Sequence, residues 1–306
     1  MKGIIVKSTG TWYKARLDSG NIIECRIRGK FKIKNIKSTN PVAVGDKVEI
    51  KIDQDQSAVI TSIEDRKNYI IRKSVNLSKR THIIASNIDT IFLVITMIEP
   101  KTLITFIDRV LVNAQAYGID VILLFNKIDL YDENIKMEMK KYIDMYSNIG
   151  YQCLYISCKD GTNIESLKDM MKDKTNIFVG NSGVGKSTIV NAIDNNINLK
   201  TDNISKSHKL GKHTTTFAEM FELNFGGFII DTPGIKSFSS VDIEKNELGH
   251  YFPEIFKISK SCKFYNCLHI KEPGCAVLSA LDKEEIHFSR YKSYLNILNE
   301  DDHNYR

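Results

Sequence analysis

The octet Gly180-Asn181-Ser182-Gly183-Val184-Gly185-Lys186-Ser187, directly behind the apolar run Asn176-Ile177-Phe178-Val179, constrains this chain more than any other stretch. The run reads as a buried strand, and glycines at the first, fourth and sixth positions of the octet allow a turn that a side chain would obstruct. Strand, glycine-rich turn and a helix opening near Lys186 make the pattern G-x-x-x-x-G-K-[ST], in which backbone N–H groups cradle a phosphate at a helix N-terminus. Lys186 then reaches the outer phosphates, and the Ser187 hydroxyl ligates a magnesium ion.

A strand of this kind needs a sheet, and the residues before it supply one. Asp89 to Thr96 is a continuous apolar run, and a helical period follows from Phe106 through Val110, Leu111 and Ala114 to Gly118. Val121 to Phe125 is the next strand. A helix carrying Ile135, Met139, Tyr142 and Tyr146 on one side stops at Gly150, and Cys153 to Ser157 is again extended. Thr162-x-x-Glu165 has the spacing of a capping box at the start of a further helix. This alternation predicts a doubly wound parallel sheet, with ligands at the carboxyl ends of its strands.

Three more motifs fall at such ends. Asn126-Lys127-Ile128-Asp129 follows Val121 to Phe125, and a carboxylate there suits guanine, because Asp129 accepts from both the ring N–H and the exocyclic amine. Adenine would leave a buried Asp129 unpaired, a mismatch that polar sites reject strongly. Ser157-Cys158-Lys159 forms a wall for the same base, and Asp231-Thr232-Pro233-Gly234 after Phe228-Ile229-Ile230 sets a carboxylate on the magnesium side and a backbone N–H near the γ-phosphate. Their order is inverted. The guanine-reading segments precede the phosphate loop, so the domain is circularly permuted, which a sheet tolerates when its termini lie close together. The polar stretch Lys200 to Phe217 is the place for a first switch, with Thr215 or Thr216 closing over magnesium and the γ-phosphate. Ile235, after Gly234, cannot orient an attacking water, which leaves His213 as a candidate for that role.

Ahead of the sheet, Ile4–Val6, Thr11–Leu17, Ile22–Ile27, Lys47–Ile50 and Ala58–Ile60 are short strands parted by Asp18-Ser19-Gly20 and Val44-Gly45-Asp46, the pattern of a small β-barrel of OB type. Residues 1–66 hold 13 Lys and Arg against 8 Asp and Glu, so nearly all of the net charge of +6 sits here. Arg26, Arg28, Lys30, Lys32 and Lys34 fall on alternate positions of an extended chain. With Trp12, Tyr13 and Phe31 available for stacking, they make a nucleic-acid surface for RNA or DNA. Arg66 to Ala85 is polar and basic and reads as a linker. Behind the sheet, Cys262-x4-Cys267-x-His269-x5-Cys275 gathers three thiols and an imidazole, the donor set of a closed structural zinc site; Cys25, Cys153 and Cys158 read as ordinary thiols. A docking helix follows through Ile286, Tyr291, Tyr294 or Leu295, and Leu298, then a frayed tail from Asp301 to Arg306. No apolar run reaches the ~18 residues of a membrane span, and Lys7 interrupts any signal-peptide core, so a cytoplasmic location is expected.

Barrel, permuted boxes and Cys3His module together resemble the RsgA family (YjeQ, YloQ) of GTPases that depend on the small ribosomal subunit, over residues 1 to about 298. The resemblance implies three units: an OB-fold RNA-binding domain (1–66), a circularly permuted GTPase domain (67–240) and a zinc-binding domain with a C-terminal helix (241–306). It implies GTP held by Asn126–Asp129 and Gly180–Thr188, including Thr188 itself, and zinc on Cys262, Cys267, His269 and Cys275. The partner it implies is the maturing small subunit and its rRNA, bound by a monomer whose slow GTP hydrolysis the ribosome stimulates. A nucleotide-gated RNA-binding scaffold with incidental hydrolysis is the alternative.

Overall fold

The computed structural model describes residues 1–27, 41–53, 57–73, 81–197, 218–231 and 243–299. All five expected barrel strands are present: β1 (Lys2–Ser8), β2 (Trp12–Leu17), β3 (Ile22–Ile27), β4 (Lys47–Ile52) and β5 (Ala58–Ile63). They pair in the order β1-β2-β3-β5-β4 and close through β1–β4, with β3 and β5 parallel and the other pairs antiparallel. Alternate residues fill the barrel, among them Ile5, Tyr13, Ala15, Cys25, Val48, Ile50 and Ile60. This corrects one expectation: Tyr13 is interior at 2% exposure, with its hydroxyl donating to Gly10 C=O, so it cannot stack on a base. Trp12 points the other way.

The supposed linker is also partly structured. Tyr69–Lys73 (β6) and Thr81–Ser86 (β7) pair as an antiparallel hairpin. A buried knot ties the barrel to it. Arg66 grips both Asp46 carboxylate oxygens at 2.6 Å, and the Ser86 hydroxyl donates to one of them, also at 2.6 Å. Gly45, at φ +92°, lets the chain pass there, since a Cβ would stand 2.1 Å from Ser86 C=O.

The second sheet holds β8 (Thr90–Ile95), β9 (Asp120–Phe125), β10 (Gln152–Tyr155), β11 (Thr175–Val179), β12 (Glu219–Glu222) and β13 (Phe228–Asp231) in the order β10-β9-β8-β11-β13-β12. All its neighbours are parallel except β12, which runs antiparallel to β13. Every residue of β8 is buried, as a central strand covered on both faces requires. One face packs on α1 (Ile104–Ala116) and α2 (Glu133–Ile149), the other on α3 (Ile164–Met171) and α4 (Lys186–Ile193). The Asp132 side chain caps α2 by accepting from Ile135 N–H, and Gly150 in the left-handed region ends it. The capping box at α3 is not formed. Asn163 is the N-cap and makes no side-chain cap bond, while Thr162 bonds Asp160 and Glu165 pairs with Lys168. Beyond β12 the sheet runs on into β1 through Lys7 and Glu219.

The C-terminal unit contains a 3-10 turn at Leu248–Tyr251, α5 (Pro253–Ser259), α6 (Ala276–Asp282) and α7 (Phe288–Leu298) around Phe252, Ile255, Val277, Tyr294 and Leu298. Helix α7 docks as expected, and its anchor is polar. Arg290, fully buried, donates to Asp108 of α1 and grips Glu254 of α5 with two nitrogens. The Tyr146 hydroxyl of α2 donates to the same Asp108 oxygen at 2.7 Å.

Candidate functional site

The carboxyl ends of β8, β9, β10, β11 and β13 come out along one rim, and three of the expected segments lie there, together with Asp231 of the fourth. Gly180 follows β11, and Lys186 opens α4 with Gly185 as its N-cap. The first intrahelical bond runs from Ile189 N–H to Gly185 C=O, so the amides of Ser187 and Thr188 have no acceptor within the helix. That is the ready anion site of a helix N-terminus. Two glycines have no substitute. At Gly180 (φ +157°) a Cβ would meet Val94 C=O at 2.7 Å, and at Gly185 (φ +101°) it would meet Asn126 Nδ2 at 2.4 Å.

The second contact explains what Asn126 does. It is buried after β9 and donates from Nδ2 to Val184 C=O at 2.9 Å, so the segment expected to read a base is bolted to the loop expected to hold a phosphate. Lys127 repeats the connection, donating to Gly183 C=O at 2.8 Å from a left-handed backbone at φ 65°. A non-glycine residue in that region costs about 1–2 kcal/mol, which the two cross-loop bonds offset. Asp129 receives the Ser157 hydroxyl at 2.9 Å through Oδ1. Ser157, fully buried, in turn accepts from Lys159 and Asp160 N–H, so the wall behind the carboxylate is internally bonded. Burial, with Asp129 nearby, pushes the Cys158 thiol up to about 11, so it serves as neutral wall. The Asp129 side chain is itself exposed, contrary to the buried carboxylate expected. Only a base lying over it would desolvate it.

Lys186 lies across the phosphate loop, donating to Gly180 and Asn181 C=O at 2.7 Å each. Asp231 closes β13 nearby; burial and Glu219 raise its carboxyl above the usual range, against the pull of Lys186. A carboxylate raised in that way suits a cation. Thr215, Thr216, His213 and Gly234 lie outside the described residues, as do Arg28, Lys30, Lys32, Lys34 and Phe31. Arg26 stands on β3 opposite Trp12, which is 49% exposed, and together they mark the outer barrel face.

The candidate metal centre assembles within one short stretch, residues 262–275. The donor atoms of Cys262, Cys267, His269 and Cys275 all lie within 4.8 Å of one another. Cys262 Sγ is 3.7 Å and Cys275 Sγ 3.4 Å from His269 Nδ1, and the two sulfurs are 4.0 Å apart. Tetrahedral bonds of about 2.3 Å to sulfur and 2.0 Å to nitrogen give edges of about 3.5–3.8 Å, so the set fits a single metal ion. Tyr291 and Tyr294 of α7 fix the ligand loop by donating to His269 and Leu268 C=O. Burial and then Cys275 push the Cys267 thiol up to about 12, so binding a metal must displace protons.

Two groups at the rim escaped the sequence reading: Tyr131, whose hydroxyl sits between two loops, and Pro100, which covers Gly183. Neither has a local signature.

A parallel sheet with these loops, entered in this order and preceded by a closed barrel, defines a circularly permuted P-loop GTPase. The chain belongs to the RsgA GTPase family, whose model matches residues 63–241, while the RsgA N-terminal domain matches residues 2–60. It is 57% identical to the "Small ribosomal subunit biogenesis GTPase RsgA" of Flavobacterium psychrophilum, over all of this chain and 95% of that protein. Identity to the protein of the same description from Christiangramia forsetii is 54%, covering 100% and 98%. Among solved structures it resembles YjeQ from Thermotoga maritima (TM-score 0.78, 34% identity, 98% and 97% covered). It also resembles YloQ, described as a circularly permuted GTPase (TM-score 0.75, 31% identity, 98% and 94% covered). Family membership implies GTP hydrolysis. Among the described residues no helix is long and apolar enough to cross a membrane.

Proposed function

We propose that this protein is a cytoplasmic, monomeric GTPase of late small-ribosomal-subunit maturation, which holds the subunit through rRNA and leaves it when GTP has become GDP and phosphate. The observation that carries the proposal is the Asn126–Val184 bond. It makes the base loop and the phosphate loop one body, so a single guanine nucleotide is gripped at both ends. The subunit comes from the relatives, which are described as small-ribosomal-subunit biogenesis GTPases.

In this reading the second oxygen of Asp129 accepts from guanine while Ser157 holds the first. Lys186 exchanges its two loop carbonyls for phosphate oxygens, and the amides of Ser187 and Thr188 face the same phosphates. Ser187 and Asp231 would hold magnesium, whose charge offsets that of the phosphates. Thr215 or Thr216 and Gly234 sense the γ-phosphate, and His213 is the candidate for aligning water. Cys262, Cys267, His269 and Cys275 hold zinc with no open position, so its role is structural.

GTP turnover measured with and without purified small subunits tests the assignment. At least a roughly tenfold stimulation is expected; equal rates would remove the subunit from the proposal. The barrel is tested separately. Trp12→Ala should weaken single-stranded RNA binding about tenfold, given about 1–3 kcal/mol for one base stack. Unchanged RNA affinity would show that Trp12 is only an exposed aromatic.

A further inference from the structure

We infer that Tyr131 is a positioning residue for the nucleotide site, acting through Asn126. Its side chain is 5% exposed, and its hydroxyl stands between the ends of two neighbouring strands. It accepts from Met97 N–H beyond β8 at 2.9 Å and donates to Asn126 C=O beyond β9 at 2.6 Å. Both partners are main-chain groups in buried surroundings, where an unmade hydrogen bond is costly.

The peptide it holds is the critical one. Asn126 C=O belongs to the bond leading into Lys127, the residue in the left-handed conformation. Fixing that carbonyl fixes where the Asn126 amide and the Lys127 ammonium leave the strand, and both end on the phosphate loop, at Val184 and Gly183. Two residues further, the same turn carries Asp129. Thus one hydroxyl sets the aim of three groups without touching a nucleotide. The β8 side of the contact is stiff: Thr96 and Thr102 bond each other, and the Thr96 hydroxyl donates to Pro100 C=O. Burial, against the opposing Met97 N–H, pushes the phenol up to about 12, so it remains a donor across the physiological range.

The inference rests on the nucleotide reading above, and the test separates the two. GDP and IDP affinities are measured by titration for the wild type, Tyr131→Phe, Asn126→Ala and the double variant, with thermal unfolding recorded for each. Inosine lacks the exocyclic amine, so the GDP-to-IDP ratio reports on Asp129. Tyr131→Phe keeps the ring and is expected to weaken GDP about tenfold. It should also lower the GDP-to-IDP ratio and add little once Asn126 is already truncated. A variant that melts earlier yet binds GDP and IDP in the wild-type ratio, or whose cost adds fully to that of Asn126→Ala, overturns the positioning role. Failure of the wild type to bind GDP would instead overturn the nucleotide reading itself.

Discussion

Lys186→Ala is expected to lower GTP turnover by about a thousandfold while the protein melts within a few degrees of the wild type. A preorganised charge aimed at phosphoryl oxygens acts where negative charge is redistributed in the transition state, and removing one such group costs about a hundred- to a thousandfold. The ammonium now caps Gly180 and Asn181 C=O, so it is already held over the loop that would receive the phosphates. Its loss should cost little stability, because both hydrogen bonds are only partly buried and water can replace the donor. Single-turnover kinetics at saturating GTP, beside a melting curve, distinguishes the cases. Turnover within tenfold of the wild type would detach Lys186 from the chemistry.

The second large effect lies far from the rim. Arg290→Ala should destabilise the protein by about 3–5 kcal/mol, because it strands a fully buried Asp108 carboxylate that Arg290 now neutralises. Burial already lifts the Asp108 carboxyl above its usual range; the Arg290 charge opposes that most, helped by hydrogen bonds from Ser293, Tyr146 and Arg290 itself. The sign with pH follows. A carboxyl whose folded pKa is raised favours the folded state at low pH and disfavours it as pH climbs past the unfolded value, about 4. The deficit of Arg290→Ala relative to wild type should therefore widen from pH 4 to pH 7, and adding Asp108→Asn should recover much of it. Chemical denaturation at several pH values measures this. A deficit that is flat with pH would mean that lost packing against Phe252, over whose ring the guanidinium sits at 4.7 Å, accounts for the effect.

The two predictions differ in how legible their residues were. Lys186 and its loop announce themselves locally, since phosphate chemistry demands glycines and a cation at fixed spacing within eight residues. The same holds for the barrel strands, whose period of two is written in consecutive residues, and for the Cys3His set. Tyr13 belongs with these: Trp12, Lys14 and Arg16 alternate with Tyr13, Ala15 and Leu17, which already puts Tyr13 on the apolar side. Arg290 is of the opposite kind. Its partner lies 182 residues earlier, and an arginine in a polar helix gives no hint of burial. Tyr131 was hidden because its bonds go to main-chain groups, which have no sequence identity. Hairpin β6–β7 is hidden because its Lys and Arg content resembles a linker, although the cross-strand pair Ile70 and Ala85 joins the main core. Strand β12 is only four residues long and follows a polar stretch, so no period could develop.

That short strand has a further consequence. An antiparallel outer strand offers its spare N–H and C=O groups to any other chain that is extended, which is how sheet proteins begin to aggregate. Here β12 is brief, begins and ends on the carboxylates of Glu219 and Glu222, and is met at Glu219 by β1. Lys7 and Arg16 of the barrel hold those two carboxylates at 2.9 and 2.6 Å. The barrel is thus also a guard for its neighbour's margin, and a chain shortened to begin after it would expose a strand available for self-association.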